Sequence, residues 1–254
     1  MIPQFVQAGL WGLLGGSALL VGAAVAYLVA LPQRLVAGIM AMGAGVLISA
    51  VAFDLMDEAY QRGGFDSTGL GFIGGAAVYT VANIIISRRG AKHRKRSGSN
   101  PDAALPPSAQ GAGLAIAVGA LLDGIPESIV IGVGLLEGTG VSLPMVAAVF
   151  LSNVPEGLSS ASGMKAAGHG PAYIFGVWGA IGLASGIAAA VGNVALAGAN
   201  PEFIAATTAV AAGAILAMLI DTMIPEAAES SHEFAGLITV AGFLGAFVLS
   251  KVGG

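Results

Sequence analysis

LLDGIPES at residues 121–128 and LSNVPEG at residues 151–157 decide how this chain folds. Both segments contain Leu, two variable residues, Ile or Val, then Pro and Glu, and both lie within long apolar runs. Proline removes a helical hydrogen bond, and a charged residue at mid-bilayer costs about 2.5–3.5 kcal/mol even on a mild insertion scale. A repeated pair of such unfavourable residues indicates a functional site.

The composition is that of a membrane protein. Of 254 residues, 56% are hydrophobic and only 9% are charged, whereas soluble domains carry about 25% charged residues. The 40 glycines favour close helix packing in lipid. The absence of cysteine excludes disulfides and thiolate metal ligands.

Hydropathy predicts an all-α integral membrane protein with eight spans, since a span needs about 20 mainly apolar residues. The predicted spans are residues 5–31, 35–56, 70–87, 111–136, 141–164, 172–196, 204–224 and 234–249. Residues 88–110 are basic and then rich in Pro and Ser. We predict a flexible cytoplasmic loop there, within a single transmembrane domain.

Basic residues orient the predicted bundle. If the N-terminus lies outside, every Lys and Arg except Arg62 and Lys251 falls on the inner side. Because inner loops are enriched in Lys and Arg, both termini are predicted to be external, in a cell membrane. We interpret the basic loop as a topology determinant, so no nucleic-acid partner is expected.

An internal similarity relates the second and seventh spans. AGVLISAVAFDLMDEA (44–59) aligns without a gap to AGAILAMLIDTMIPEA (212–227), with Asp54 and Asp221 one position apart. These spans run in opposite directions, as do spans 4 and 5. The pattern predicts that spans 1–3 and 6–8 are inverted repeats around spans 4 and 5, as in many secondary transporters. Chance similarity between Ala- and Leu-rich helices is the alternative.

Polar side chains cluster at the centre of spans 4 and 5. Asp123 and Glu127 share one helix face, and span 5 carries Ser152, Asn153 and Glu156. No basic residue lies in any span core, so these carboxylates must bind protons or cations. A protonated structural cluster beside proline kinks is the alternative.

Further carboxylates flank this centre. Asp54 lies near the predicted outer end of span 2, and Asp221 and Glu226 near the inner end of span 7. We predict that they contact a cation at the two mouths of its path. Asn83 and Asn193 are predicted to bridge helices.

These motifs resemble those of the ZIP (Zrt/Irt-like) family of divalent metal transporters. The family has eight helices with both ends outside and binds its metal between helices 4 and 5. Residues 123–128 match the family's His-Asn-x-Pro-Glu-Gly type motif, and residues 152–157 match the related Pro-Glu-Gly motif. The resemblance implies these metal ligands: Asp123, Glu127, Ser152, Asn153 and Glu156.

Departures from the family pattern concern histidine. Asp123, Ser152 and Asp221 occupy positions where the family commonly has His or another ligand. Zinc favours nitrogen and sulfur ligands, whereas carboxylates suit harder cations such as Mn²⁺. We therefore expect a harder cation preference than in zinc-selective relatives.

The predicted function is transport of a divalent metal of the zinc, iron or manganese class into the cytoplasm. The metal is cargo, no prosthetic group or enzymatic activity is expected, and the lipid bilayer is a partner. A homodimer is left open. Two alternatives are a proton- or cation-coupled carrier of a small organic solute and a non-transporting scaffold or sensor. An aromatic-lined cavity would favour the carrier, but only 6% of residues are aromatic.

Overall fold

The computed structural model describes the following residues: 2–29, 31–88, 110–137, 142–166, 168–230 and 233–252. Their regular secondary structure is entirely helical, without a strand. The predicted all-α class is confirmed. The basic loop predicted at residues 88–110 lies outside the described residues except at its two ends.

Nine α-helices occur in the described part of the chain. They are α1 (Gln4–Leu28), α2 (Gln33–Ala50), α3 (Met56–Ile86), α4 (Gln110–Gly134), α5 (Leu143–Ala166), α6 (Pro171–Leu196), α7 (Pro201–Met218), α8 (Ile224–Ser230) and α9 (Ala235–Val252). Two π-helical segments, Val51–Leu55 and Leu219–Met223, join α2 to α3 and α7 to α8. A short 3-10 segment, Leu135–Glu137, follows α4.

Five helical stretches among the described residues are long and apolar enough to cross a membrane. They are Gln4–Leu28, Gln33–Ile86, Pro171–Leu196, Pro201–Glu229 and Ala235–Val252. Their length and composition indicate a membrane protein. Over their described residues, α4 and α5 are not among the five, so the predicted count of eight spans stays a prediction.

The second and third predicted spans are not separated by a loop. Helical structure continues from Gln33 to Ile86 and is broken at Gly64, where φ is 69° and ψ is −174°. Glycine adopts such a positive φ readily because it has no Cβ. The helix that contains the third predicted span therefore begins before residue 70, and the break in the helical structure lies at Gly64.

The prolines of the two Pro-Glu motifs do not end their helices. Pro126 lies inside α4 and Pro155 inside α5. Pro155 is itself buried, and a Cβ on Gly43 of α2 would lie 3.2 Å from its ring. The second motif therefore sits where α5 packs closely on α2.

Glycines position α1 against α5 and α6. A Cβ on Gly12 would lie 2.8 Å from the carbonyl oxygen of Ser185, and one on Gly22 would overlap the carbonyl of Val154. The order of the contacts along each helix makes α1 parallel to α5 and antiparallel to α6. α4 meets α6 at Gly124 with Ser185 and at Gly132 with Ala189, and because the residue numbers rise together these two helices are parallel. It follows that α4 and α5 run in opposite directions.

A second group of helices packs in the same manner. Gly75 of α3 lies against the backbone of Val210 in α7, and Gly242 of α9 lies against the backbone of Met42 in α2. Both pairs are parallel. Contacts of α2 with α5 and of α4 with α7 join the two groups. The Pro-Glu motifs of α4 and α5 consequently lie between the groups.

Gly75→Ala should destabilise the protein, whereas Gly74→Ala should not. A methyl group at Gly75 would overlap the carbonyl oxygen of Val210, but no atom lies within 4 Å of one at Gly74. We expect Gly75→Ala to cost about 1–3 kcal/mol through overpacking. Gly74→Ala should be neutral or stabilise by up to about 1 kcal/mol through helix propensity. Thermal unfolding in detergent measures both, and equal melting temperatures would contradict the close α3–α7 contact.

Candidate metal site

The predicted ligands of α4 and α5 are buried inside the protein. Asp123, Glu127 and Ser152 are each 2% exposed, Asn153 is 4% exposed and Glu156 is 5% exposed. The packing of neighbouring helices therefore shields these five side chains from lipid and water. Burial in a low-dielectric interior strengthens every electrostatic interaction that these groups make.

Asp123 accepts a hydrogen bond from a residue of another helix. The hydroxyl of Tyr79 on α3 donates a hydrogen bond to Asp123 Oδ1 at 2.6 Å. Tyr79 is 1% exposed, so the bond is buried at both ends. The distance lies in the range of about 2.5–2.7 Å that is typical of hydroxyl donors to carboxylates.

The polar residues of α5 bond to backbone. The amide nitrogen of Asn153 donates to the carbonyl of Gly15 on α1 at 3.0 Å. The Ser152 hydroxyl donates to the carbonyl of Val149 within its own helix at 2.9 Å. Each of these side chains retains an oxygen that can accept or ligate. Asn153 therefore both fastens α5 to α1 and brings an amide oxygen to the candidate site.

Asn193 is a close structural counterpart of Asn153. It is 3% exposed, and its amide nitrogen donates to the carbonyl of Gly132 on α4 at 3.0 Å. The prediction that Asn193 bridges helices is confirmed.

Asp54 and Asp221 lie on two π-helical segments, one position apart in the alignment of these segments. Asp54 lies in Val51–Leu55 and accepts a hydrogen bond from Ser250 at 2.7 Å. Asp221 lies in Leu219–Met223 and accepts one from Asn83 at 3.4 Å. The helix-bridging role predicted for Asn83 is confirmed. A π-helical segment adds a residue to the turn and often marks a functional position.

Glu226 belongs to the buried set rather than to a solvated helix end. It is 8% exposed, and Ser159 of α5 donates to its Oε1 at 3.2 Å. Asp221, by contrast, is exposed. The two predicted inner-mouth residues thus lie in different environments, because α8 turns Glu226 towards α5.

A small polar cavity adjoins Asp54. It has a volume of about 30 Å³ and is lined by residues that include Asp54, Glu58, Ser142 and Thr208. The hydroxyl of Thr208 is buried and has no hydrogen-bond partner within the described residues. A polar space of this size can hold a water molecule. Asp54 therefore borders a space that can hold a small polar species such as water.

A larger apolar cavity also borders Asp54. Its volume is about 220 Å³, and it is lined by α2, α5 and α9, including Met42, Leu151 and Leu249. No aromatic side chain lines it. A further cavity of about 490 Å³ is lined in part by Phe53, Tyr60 and Phe65, which is the kind of cavity that would favour the organic-solute carrier.

In the part of the chain that the structure describes, the acidic and histidine side chains do not form a metal-binding group by themselves. Within the described residues, no three His, Cys, Asp or Glu side chains are arranged to hold a metal ion. A metal held here would need other oxygens, such as the Asn153 amide, the Ser152 hydroxyl or water. Hard divalent cations accept such ligands and often retain several waters.

Three donors to the predicted carboxylates were missed by sequence reasoning. They are Tyr79, Ser159 and Ser250. A lone tyrosine in an apolar span could have drawn attention, since buried tyrosine hydroxyls usually find a partner. Single serines in Gly- and Ala-rich helices carry no comparable signal.

Neither a protein-family model nor a curated protein matches the chain. The resemblance to ZIP transporters therefore stays a prediction that rests on the motifs. The placement of their residues in the structure is the basis for any functional inference.

Asn153→Ala and Asn193→Ala should lower stability by similar amounts. Each removes a buried hydrogen bond to a backbone carbonyl, with an expected cost of about 1–3 kcal/mol. Only Asn153→Ala should also weaken metal binding, because only Asn153 lies beside the second Pro-Glu motif. Thermal unfolding with and without Mn²⁺ separates the two effects. An equal loss of Mn²⁺-dependent stabilisation in both variants would contradict a ligand role for Asn153.

Proposed function

We propose that this protein carries divalent metal cations across a membrane, through a carboxylate-rich site between α4 and α5. The cation is cargo rather than a resident cofactor. The observation that carries the proposal is the burial of Asp123, Glu127 and Glu156 at 2%, 2% and 5% exposure. These residues stand in two helices whose predicted cores contain no Lys, Arg or His.

Burial of acidic groups is unfavourable unless something compensates it. An ionised carboxylate in an apolar interior must be neutralised or paired. A cation that arrives and leaves would provide this compensation transiently. The adjacent amide and hydroxyl oxygens of Asn153 and Ser152 favour a metal over a proton, because a proton needs no additional ligands.

An inverted repeat is part of the proposal, and the helix contacts support it. α1 is parallel to α5 as α6 is parallel to α4, and α3 is parallel to α7 as α9 is parallel to α2. Exchanging α1 with α6, α2 with α7, α3 with α9 and α4 with α5 leaves this set of contacts unchanged. Of the exchanged helices, α1 and α6 run in opposite directions, as do α4 and α5, which agrees with a pseudo-two-fold axis in the membrane plane.

The π-helical segments support the same relation at the level of residues. Val51–Leu55 and Leu219–Met223 coincide in the alignment of residues 44–59 with 212–227. Ser250 of α9 bonds to Asp54, and Asn83 of α3 bonds to Asp221. A donor from the corresponding third helix thus bonds to each carboxylate, which supports the repeat over chance similarity of composition.

Asp54 and Asp221, the carboxylates of the two π-helical segments, give the proposed cation path a direction. In the proposed orientation, with both termini outside, Asp54 lies at the outer end and Asp221 at the inner end. The cation would pass from Asp54 to the α4–α5 site and leave past Asp221 and Glu226. The oxygen-only ligands favour a hard cation such as Mn²⁺ over Zn²⁺.

Glu127→Gln and Glu156→Gln should each abolish most metal uptake. The amide retains the size of the side chain but removes the charge that holds the cation. We expect uptake into proteoliposomes to fall by at least about tenfold, since even indirect contacts to a metal are worth about 10–100-fold in affinity. Mn²⁺, Zn²⁺, Fe²⁺, Cd²⁺, Mg²⁺ and Ca²⁺ are offered separately.

Glu202→Gln is the matched control, because Glu202 is an exposed acidic residue in the first turn of α7. It should transport as well as the parent. If no metal enters with the parent, the transport proposal is wrong. If both buried-site variants equal the parent, the site is wrong. Uptake of Zn²⁺ far above Mn²⁺ would overturn only the preference for a hard cation.

Cysteine accessibility tests the proposed topology, because the chain has no cysteine of its own. Gln61→Cys and Ala197→Cys should react with a membrane-impermeant thiol reagent in intact cells. Pro32→Cys and Ala166→Cys should react only after permeabilisation. All four positions are exposed. The opposite pattern would reverse the orientation, and labelling of Gln61→Cys and Ala197→Cys from different sides would contradict the inverted repeat.

A further inference from the structure

The side chain of Tyr79 on α3 contacts an acidic residue of α4. Its hydroxyl donates to Asp123 Oδ1 at 2.6 Å, and the two residues are 1% and 2% exposed. Because both are buried, bulk water does not compete for this bond. In such an interior the bond is stronger than on a surface.

The bond joins the two groups of helices. α3 belongs with α7, and α4 belongs with α6. One helical turn further along α3, Asn83 donates to Asp221 at 3.4 Å. One face of α3 thus supplies donors to two of the predicted metal-contacting carboxylates.

The repeat-related position has no such donor. Ser250 of α9 corresponds to Asn83, and the residue four positions before Ser250 is Ala246, whose methyl group cannot donate. The counterpart of Asp123 in the second motif is Ser152, and its hydroxyl bonds within α5. The first polar residue of the α4 motif is therefore held by a side chain of another helix, whereas the corresponding residue of the α5 motif bonds within its own helix.

A hydrogen-bonded carboxylate is restricted in how it can meet a cation. The bond occupies a lone pair of Asp123 Oδ1 and fixes the rotation of the carboxylate. Mg²⁺ and similar small cations need near-octahedral shells with single-oxygen contacts. Ca²⁺ forms flexible shells of about 6–8 oxygens and often takes both oxygens of a carboxylate.

We propose that Tyr79 is a specificity-determining positioning residue, which holds Asp123 so that it coordinates through one oxygen and thereby disfavours Ca²⁺. This inference rests on the proposed function of the α4–α5 site. α3 carries no predicted ligand of the central site, yet through Tyr79 it would control which cations the site accepts.

Tyr79→Phe tests this role, because it removes only the donating hydroxyl. Equilibrium binding of Mn²⁺, and its competition by Ca²⁺, are measured on the purified full chain. We expect the dissociation constant for Mn²⁺ to stay within about threefold, while Ca²⁺ competes at least about tenfold better. The gain should vanish in an Asp123→Asn background, where no carboxylate remains to become bidentate. Tyr173→Phe removes a hydroxyl remote from the site and should behave like the parent.

Infrared difference spectra of the parent provide a measurement that needs no folded Tyr79 variant. The separation of the two carboxylate stretches distinguishes one-oxygen from two-oxygen coordination. With Mn²⁺ bound, a one-oxygen band should be present and should disappear in Asp123→Asn. A two-oxygen band assigned to Asp123 would overturn the inference.

The outcomes separate the two proposals. If the parent binds neither Mn²⁺ nor Ca²⁺, the proposed function fails and this inference fails with it. If the parent binds Mn²⁺ but Tyr79→Phe changes both cations by the same factor, or changes neither, only the role of Tyr79 is overturned. Persistence of the Ca²⁺ gain in the Asp123→Asn background would also overturn it.

Discussion

A carboxylate inside a membrane protein must be compensated, and this constraint organises the structure. Asp123, Glu127 and Glu156 are placed in helices whose own sequences contain no positive charge in their cores. Neighbouring helices place neutral hydrogen-bond donors against buried carboxylates. The clearest examples are Tyr79 with Asp123 and Ser159 with Glu226. Neutral donors stabilise a carboxylate without cancelling its charge. Under the proposed function, such donors would leave the site able to attract a cation, which a permanent Lys or Arg partner would prevent.

Close packing is the second requirement, because a polar interior is stable only when lipid is kept away from it. Glycines achieve this at the points where backbones meet, as at Gly22 with Val154 and Gly75 with Val210. Where apolar burial no longer drives helix association, such contacts and interhelical hydrogen bonds are the main sources of stability. Asn153 and Asn193 contribute bonds of this kind at 3.0 Å each. The glycines that are abundant in the sequence thus also bring together the helices that surround the candidate site.

The limits of sequence-based prediction follow from which interactions are local. Helix positions were recovered within a few residues where a single apolar run was bounded by polar residues, as in α1 and α6. The loop expected between residues 56 and 70 is instead helical, and the helix is broken only at Gly64, which has a positive φ. The candidate residues of α4 and α5 were placed in the interior correctly. Their hydrogen-bond partners were not foreseen, because a helix in a bundle can present any face to its neighbours.

The sequence by itself determined the membrane class, the all-helical architecture and the helices that carry the buried carboxylates. Hydropathy and residue type are properties of each segment, so they can be read without knowing its neighbours. Only the tertiary structure decided which groups meet the carboxylates. Tyr79 lies 44 residues from Asp123, and Ser159 lies 67 residues from Glu226. Such pairs depend on the rotation and depth of two separate helices, which are set by backbone contacts at glycines rather than by any pattern within one helix.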